Sequence, residues 1–229
     1  MSYESGGINI AIDGPAGAGK STVARKVASE LAYVYVDTGA MYRAVTLYAQ
    51  RNGIDADAHD ELAALANKIE LKLVPSESGQ RILLFDEDIT SEIRSREVTS
   101  QVSLYAAHKQ IRAVLGNMQR ELAINKGIVM DGRDIGTHVL PDAELKVFLT
   151  ASVAERAQRR YKELTKDNYI SLEMLKAEIA ERDKIDESRS ISPLIQAADA
   201  LLIDSSHMSI EEVVELIVDL SHQKLSEAK

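Results

Sequence analysis

The chain has 229 residues, 45% of them hydrophobic, which is enough for one core with room for a modest insertion. A formal net charge of -9 argues against a protein whose main work is neutralising a nucleic-acid backbone, although a few placed arginines can still gather phosphates in one cleft. The absence of cysteine excludes disulfides, thiolate zinc sites and a thiol nucleophile, and is compatible with a reducing cytoplasm. Residues 1–7 lack the basic stretch and apolar run of a signal peptide, and no segment reaches the ~20 apolar residues of a membrane span. The expectation is a soluble cytoplasmic chain with no membrane partner, and a monomer by default.

Residues 8–12 read as a first buried strand, followed by a glycine-rich turn and a helix in which Val23, Val27 and Leu31 share one face. A second apolar run at 33–36 leads into another turn and helical segment. From about 60 to 100 the rhythm changes. A short helix is followed by extended runs at 71–74 and 81–85, with Pro75, Ser76, Ser78 and Gly79 as the turn between them. A hairpin is out of place in a parallel sheet, so residues 60–100 read as a small inserted α+β subdomain. Leu104, Ile111, Leu115, Met118 and Leu122 predict one long central helix that stops at Gly127. Buried strands at 128–130, 145–149 and 201–203 follow, each succeeded by a turn and a helical or charged segment. The last helix opens on Ser209 and Glu212, spaced as a capping box, and turns Val213, Leu216, Ile217 and Leu220 inward; residues 225–229 read as a fraying end. Continuous apolar strands with helices between them predict an α/β fold whose parallel sheet is covered on both faces.

The strongest motif is GPAGAGKS at 14–21, which fits G-x-x-x-x-G-K-[ST] with Gly14, Gly19, Lys20 and Ser21 in the fixed places. Pro15, Ala16, Gly17 and Ala18 fill the loop, and Thr22 opens the helix behind it. The strand before and the helix after are the context that such a phosphate loop needs, so the sheet is of the P-loop NTPase type. Glycines let successive N–H groups point at phosphate oxygens, and the helix N-terminus adds partial positive charge. Lys20 is expected on the β/γ-phosphates of ATP and the Ser21 hydroxyl on Mg²⁺. A switch GTPase would need N-K-x-D, and Asn67-Lys68 and Asn125-Lys126 lack its Asp. A motor or unwinding enzyme would need a nucleic-acid surface that nothing here offers.

Transfer to a phosphorylated acceptor requires two anions to approach, which calls for several guanidinium groups in one cleft. Arg43 follows Asp37-Thr38-Gly39, and Arg133 sits in DGRD at 131–134, both at carboxyl ends of predicted strands, the same sheet edge as the phosphate loop. Arg156, Arg159 and Arg160 lie on one helical face by their spacing, and Arg182 and Arg189 fall in ERDKIDESR. Arg25, Arg51, Arg94, Arg96 and Arg120 read as plain surface. Asp131 and Asp134 read equally as site residues or as turn acids that cap a helix or pair with arginine. His59, His108, His138, His207 and His222 read as surface or packing residues.

In order along 10–204, the pieces IAIDGPAGAGKST, VDTGAMYRA, MDGRDIGT, ERAQRRY, ERDKIDESR with SPL after it, and AADALLID resemble the bacterial cytidylate kinases. The resemblance implies that Thr38, Arg43, Arg133 and Arg189 hold the acceptor phosphate, that Ser103, Arg112 and Asp134 read cytosine, and that Arg182 and Asp186 contact the sugar. It implies that Arg156, Arg159 and Arg160 begin a lid closing over ATP, and that Asp131 orients water on Mg²⁺. The expected division is a core of 1–59, 101–155 and 169–229, an acceptor-binding insertion at 60–100, and a lid at 156–168. The expected reaction is transfer from ATP to CMP or dCMP, giving CDP or dCDP, with small nucleotides and no nucleic acid as partners. A kinase of the same architecture for UMP, AMP or shikimate, and a nucleotide-binding regulator without transfer, stay open as alternatives.

Overall fold

The computed structural model describes residues 7–76, 79–163 and 170–227. In chain order the elements are β1 (Asn9–Asp13), α1 (Lys20–Glu30), β2 (Val34–Asp37), α2 (Thr38–Arg51), α3 (His59–Ala66), β3 (Leu71–Ser76), β4 (Gly79–Leu84), β5 (Glu87–Asp88), α4 (Arg96–Ala106), α5 (Lys109–Leu122), β6 (Ile128–Gly132), β7 (Leu145–Thr150), α6 (Val153–Glu163), α7 (Leu172–Ser188), β8 (Leu201–Asp204) and α8 (Ile210–Glu227). Five strands form one parallel sheet in the order β2-β6-β1-β7-β8. Alternation along β1 sends Ile10 and Ile12 to one face, under Val23 and Val27 of α1 and Val213 and Ile217 of α8. Ala11 goes to the other, with Val36, Met130, Ile135 and Ala123. Both faces are therefore covered, which is what lets the inner strands carry apolar residues on both faces, apart from Lys146 and the polar residues at the strand ends.

The inserted sheet is antiparallel, in the order β3-β4-β5, and Ile82 and Leu84 pack with Met41, Val45, Leu62 and Ile93 in a second core. The run expected at 81–85 ends one residue early. Phe85 and Asp86 both have positive φ, 47° and 68°, and make the two-residue turn that pairs Leu84 with Glu87. Phe85 instead packs edge-on against Tyr48, with ring centroids 5.2 Å apart. Ser78, expected in the β3–β4 turn, lies outside the described residues.

Three other expectations change. The single central helix is two, because the chain breaks at Ala107 and His108, whose backbone is extended at the start of α5. Leu104 and Leu122 are consequently exposed, while Ile111 and Leu115 are buried. Strand β8 is a sheet edge rather than a buried strand: Leu201 and Leu202 face outward and only Ile203 is buried. At α8 the capping box forms, with Ser209 N–H donating to Glu212 Oε2 at 2.7 Å and Glu212 N–H to Ser209 Oγ at 3.2 Å, but Leu216 faces outward. Residues 225–227 belong to α8, and 228–229 lie outside the described residues. Among the described residues no helix is long and apolar enough to cross a membrane.

The split of the central helix makes a direct contrast. Leu115→Ala removes a wholly buried side chain and should cost about 2–5 kcal/mol in urea denaturation, whereas Leu122→Ala should cost about 0.5 kcal/mol or less. Equal losses at both sites would contradict this packing.

Candidate active site

The loop between β1 and α1 curls over the carboxyl edge of the sheet. Gly14 has φ 146°, and a Cβ there would stand 1.9 Å from the Leu149 carbonyl oxygen, so no side chain fits. Gly19, at φ 89°, supplies the left-handed residue on which α1 starts. Gly14 and Pro15 are buried and shape the loop, while residues 16–22 line the cleft. The Lys20 ammonium donates to the Pro15 carbonyl at 2.7 Å, and burial, with Arg133 nearby, pulls its pKa well below the usual lysine value. Ser21 Oγ donates to Asp131 Oδ2 at 2.8 Å, and the Tyr35 hydroxyl donates to Oδ1 at 2.9 Å. Burial, reinforced by Asp37, pushes the Asp131 carboxyl up to about 6.

On the other side of the cleft each arginine has an acid beside it. Arg43 donates to Asp37 Oδ2 at 3.1 Å, and Asp37 also caps α2 by accepting from Ala40 N–H at 2.7 Å. Thr38 Oγ1 donates to the Asp131 carbonyl at 2.6 Å, tying the start of α2 to the end of β6. Arg112, from α5, pairs with Asp134, donates to the Ala106 carbonyl at 3.0 Å and lies 5.3 Å over the Tyr42 ring. Arg133 donates through Nε to Asp186 Oδ2 at 2.9 Å, and Arg189 through its Nε to the Asp186 carbonyl at 3.2 Å. Burial raises the Asp186 carboxyl, but Arg133, Arg189 and Arg182 outweigh it and hold the pKa below the usual range. Arg182 is half-buried among these cations and is pulled down to about 10, by loss of solvation first and Arg133 second. Ser103 is buried on α4 and lines the same space, which encloses about 1270 Å³.

Arg159 reaches Ser205, with Nη2 donating to its carbonyl at 2.6 Å, and together with Arg160 it lines the cleft. Arg156 departs from the expectation of a lid residue over ATP. It is buried, does not line the cleft, and spends its guanidinium on the Ala151 carbonyl at 2.8 Å, the Ala16 carbonyl at 2.9 Å and Asp183 at 2.6 Å. Arg94 and Arg96, expected on plain surface, line the cleft, and Arg94 stands 3.6 Å from Asp37. The structure adds Asp37, Tyr42 and Asp183, which touch site arginines, and Asp13. Asp13 accepts from Ile135 N–H at 2.8 Å and Gly136 N–H at 2.7 Å, so the turn after Asp134 hangs from the end of β1. Helical spacing could have found Asp183, three before Asp186, and the strand-end position applied to Arg133 also covers Asp13 and Asp37; Tyr42 meets Arg112 only through packing of α2 on α5.

The Ser21 hydroxyl and the buried Asp131 carboxyl are adjacent hard oxygen donors, the kind of ligand a divalent cation takes. Among the described residues no group of three His, Cys, Asp or Glu could form a protein cage for a metal. That donor set fits Mg²⁺, which keeps waters and shares phosphate oxygens.

The sequence matches the family model described as Cytidylate kinase over residues 10–223. It is 55% identical over 215 residues to the cytidylate kinase of Shouchella clausii (strain KSM-K16), covering 93% of this chain and 96% of that one. Identity to the cytidylate kinase of Bacillus subtilis (strain 168) is 48% over 218 residues, covering 95% and 97%. Among solved structures, an uncharacterized protein from Eubacterium ventriosum ATCC 27560 superposes with a TM-score of 0.51 at 12% identity, covering 94% of this chain and 98% of that one, which shows a shared fold alone.

Burial also pushes Asp13 up to about 6, despite its two backbone donors. A carboxyl raised from 3.8 binds its proton more tightly when folded, so the stability contributed by Asp13 and Asp131 is highest near pH 4 and falls as pH rises through 6. Carbon-13 NMR of the magnesium-free protein should show two aspartate carboxyls titrating near pH 6. If every aspartate titrated below pH 5, the burial argument would be wrong.

Proposed function

The chain belongs to the cytidylate kinase family, and from that premise we propose how its cleft divides the labour of moving the γ-phosphoryl group of ATP onto CMP or dCMP. The observation that carries the reading is a set of buried guanidinium N–H groups with no hydrogen-bond partner among the described residues: Nε of Arg43, Arg112 and Arg182, and Nη2 of Arg189. An unpaired buried donor costs about 1–3 kcal/mol, so four of them gathered in one cleft support ligand acceptors there. Phosphate and cytosine oxygens supply such acceptors. The net charge of -9 favours small nucleotides over nucleic acid as partners.

In this division Gly14, Pro15 and Ala16 shape the loop, the backbone N–H groups of 17–22 hold the donor phosphates, and Lys20 exchanges the Pro15 carbonyl for a phosphate oxygen. Mg²⁺, held by Ser21 and through water by Asp131, would neutralise charge on the transferring group. Thr38, Arg43, Arg133 and Arg189 grip the acceptor phosphate and aim one of its oxygens in line at the γ-phosphorus. That phosphate is already an anion at pH 7, so no general base is required. Ser103, Arg112 and Asp134 read the base, and Arg182 with Asp186 holds the sugar. The insertion at 60–100 closes on the acceptor, and the lid at 156–168, of which 164–168 lie outside the described residues, excludes water with Arg159 and Arg160. Arg156 serves from behind, by holding the Ala16 peptide.

A coupled assay with ATP and a panel of CMP, dCMP, UMP, AMP, GMP and shikimate tests the whole reading. CMP and dCMP should turn over fastest; a chain inactive on both while using shikimate or AMP would belong to the alternative.

Base choice has its own test. Asp134 accepts from the N4 amino group of cytosine but would face O4 of uracil acceptor to acceptor, while Arg112 donates to N3 or O2 of cytosine. Asp134→Asn keeps the shape and should narrow the CMP/UMP ratio of kcat/KM by about tenfold or more, leaving ATP use little changed. An unaltered ratio would remove Asp134 from base reading.

A further inference from the structure

Asp183 is buried on α7 and touches the donor loop. Its Oδ1 accepts from Ala16 N–H at 3.2 Å, and its Oδ2 from Arg156 Nη1 at 2.6 Å. The same Arg156 nitrogen donates to the Ala16 carbonyl at 2.9 Å. One residue of the phosphate loop is thus gripped at both its N–H and its carbonyl by an acid from α7 and a base from α6. The inward face of α7 is apolar at Leu175 and Ile179 and then continues as Asp183 and Asp186. Asp186, one turn further on, holds Arg133 at 2.9 Å, and Arg182 adjoins both acids.

We propose that Asp183 is a positioning residue that makes the donor loop and the acceptor clamp bind their nucleotides cooperatively, with α7 as the rigid link. This rests on the division of the cleft proposed above. A contiguous path runs from Ala16 to Asp183, along one helical turn to Asp186, and on to Arg133. A triphosphate that fixes the loop fixes Asp183, and with it the register of α7. The acceptor then meets arginines already in place and loses less freedom on binding, so each nucleotide tightens the other by the same factor. An acid serving only to neutralise Arg156 would not need to bond the Ala16 amide. A pair confined to α6 and α7 would stabilise the fold without linking the sites.

Calorimetry of the whole chain with CMP, in the absence and presence of saturating adenylyl imidodiphosphate and Mg²⁺, reads the coupling directly. The parent should bind CMP about fivefold or more tighter with the analogue present. In Asp183→Ala that factor should fall to near one, and in Asp183→Asn, which keeps an acceptor for Ala16 N–H but loses the ionic pair, it should fall part of the way. Circular dichroism checks that each variant is folded; if the alanine variant is not, the asparagine variant decides. Variants that keep the parent's factor overturn the role of Asp183, as does a parent that binds the two nucleotides independently while still phosphorylating CMP. A parent that fails to phosphorylate CMP overturns the underlying reading instead.

Discussion

Guanidinium groups repel one another, and a buried one costs several kcal/mol unless a carboxylate accompanies it. The cleft and the layer behind it meet both constraints by assigning acids to their arginines: Asp37 to Arg43, Asp134 to Arg112 and Asp186 to Arg133 in the cleft, and Asp183 to Arg156 behind it. Each acid takes part of its partner's fork, and Nε of Arg43 and of Arg112 has no hydrogen-bond partner among the described residues. Directed donors survive in this way without a net positive protein. The acids come from the end of β2, the turn after β6, and α7, so the parallel sheet and its crossovers are what bring them to one edge.

The phosphate loop was legible because its constraints are local. Gly14 must be glycine for the backbone to pass the Leu149 carbonyl, and the strand and helix around it follow from short apolar periods. The break at Ala107 and His108 was not legible, since a stripe drawn through Leu104 and Leu122 fits a helical period although both side chains end up exposed. What separates the two helices is tertiary. Tyr105 donates its hydroxyl to the Ile54 carbonyl, and Arg112 turns back to the Ala106 carbonyl, so both ends of the break are held by distant or buried groups.

Among the residues lining the cleft, position after a strand end pointed to Arg43 and Arg133 without help, whereas Ser103, Arg112 and Asp186 entered only through the resemblance. Helical residues carry no strand-end signal, and their facing depends on how α4, α5 and α7 pack. Arg156 illustrates the limit. Its spacing with Arg159 and Arg160 put all three on one face, but a face about 100° wide can turn one member to the core and another to the cleft.

Phosphoryl transfer adds a tolerance of about half an ångström to these packing demands, since donor and acceptor oxygens must lie in line. Here both sides of the reaction are fixed to the same strand. The donor loop leaves the end of β1 at Gly14, and Asp13, one residue earlier, holds the backbone of Ile135 and Gly136 beside Asp134. Strand β6, which carries Arg133 at its end, pairs with β1 over its whole length, Asp13 opposite Gly132. Distances along this frame are set by backbone hydrogen bonds inside a buried sheet, which bend little. The insertion is joined to α2 by a buried core through Leu62, Ile82, Leu84 and Ile93, and only its outer edge carries exposed ion pairs, Arg51 with Glu87 and Arg96 with Glu178, which are worth little. Alignment is therefore decided by buried backbone pairing, and any approach of the insertion to the acceptor has to carry its buried core and α2 along with it.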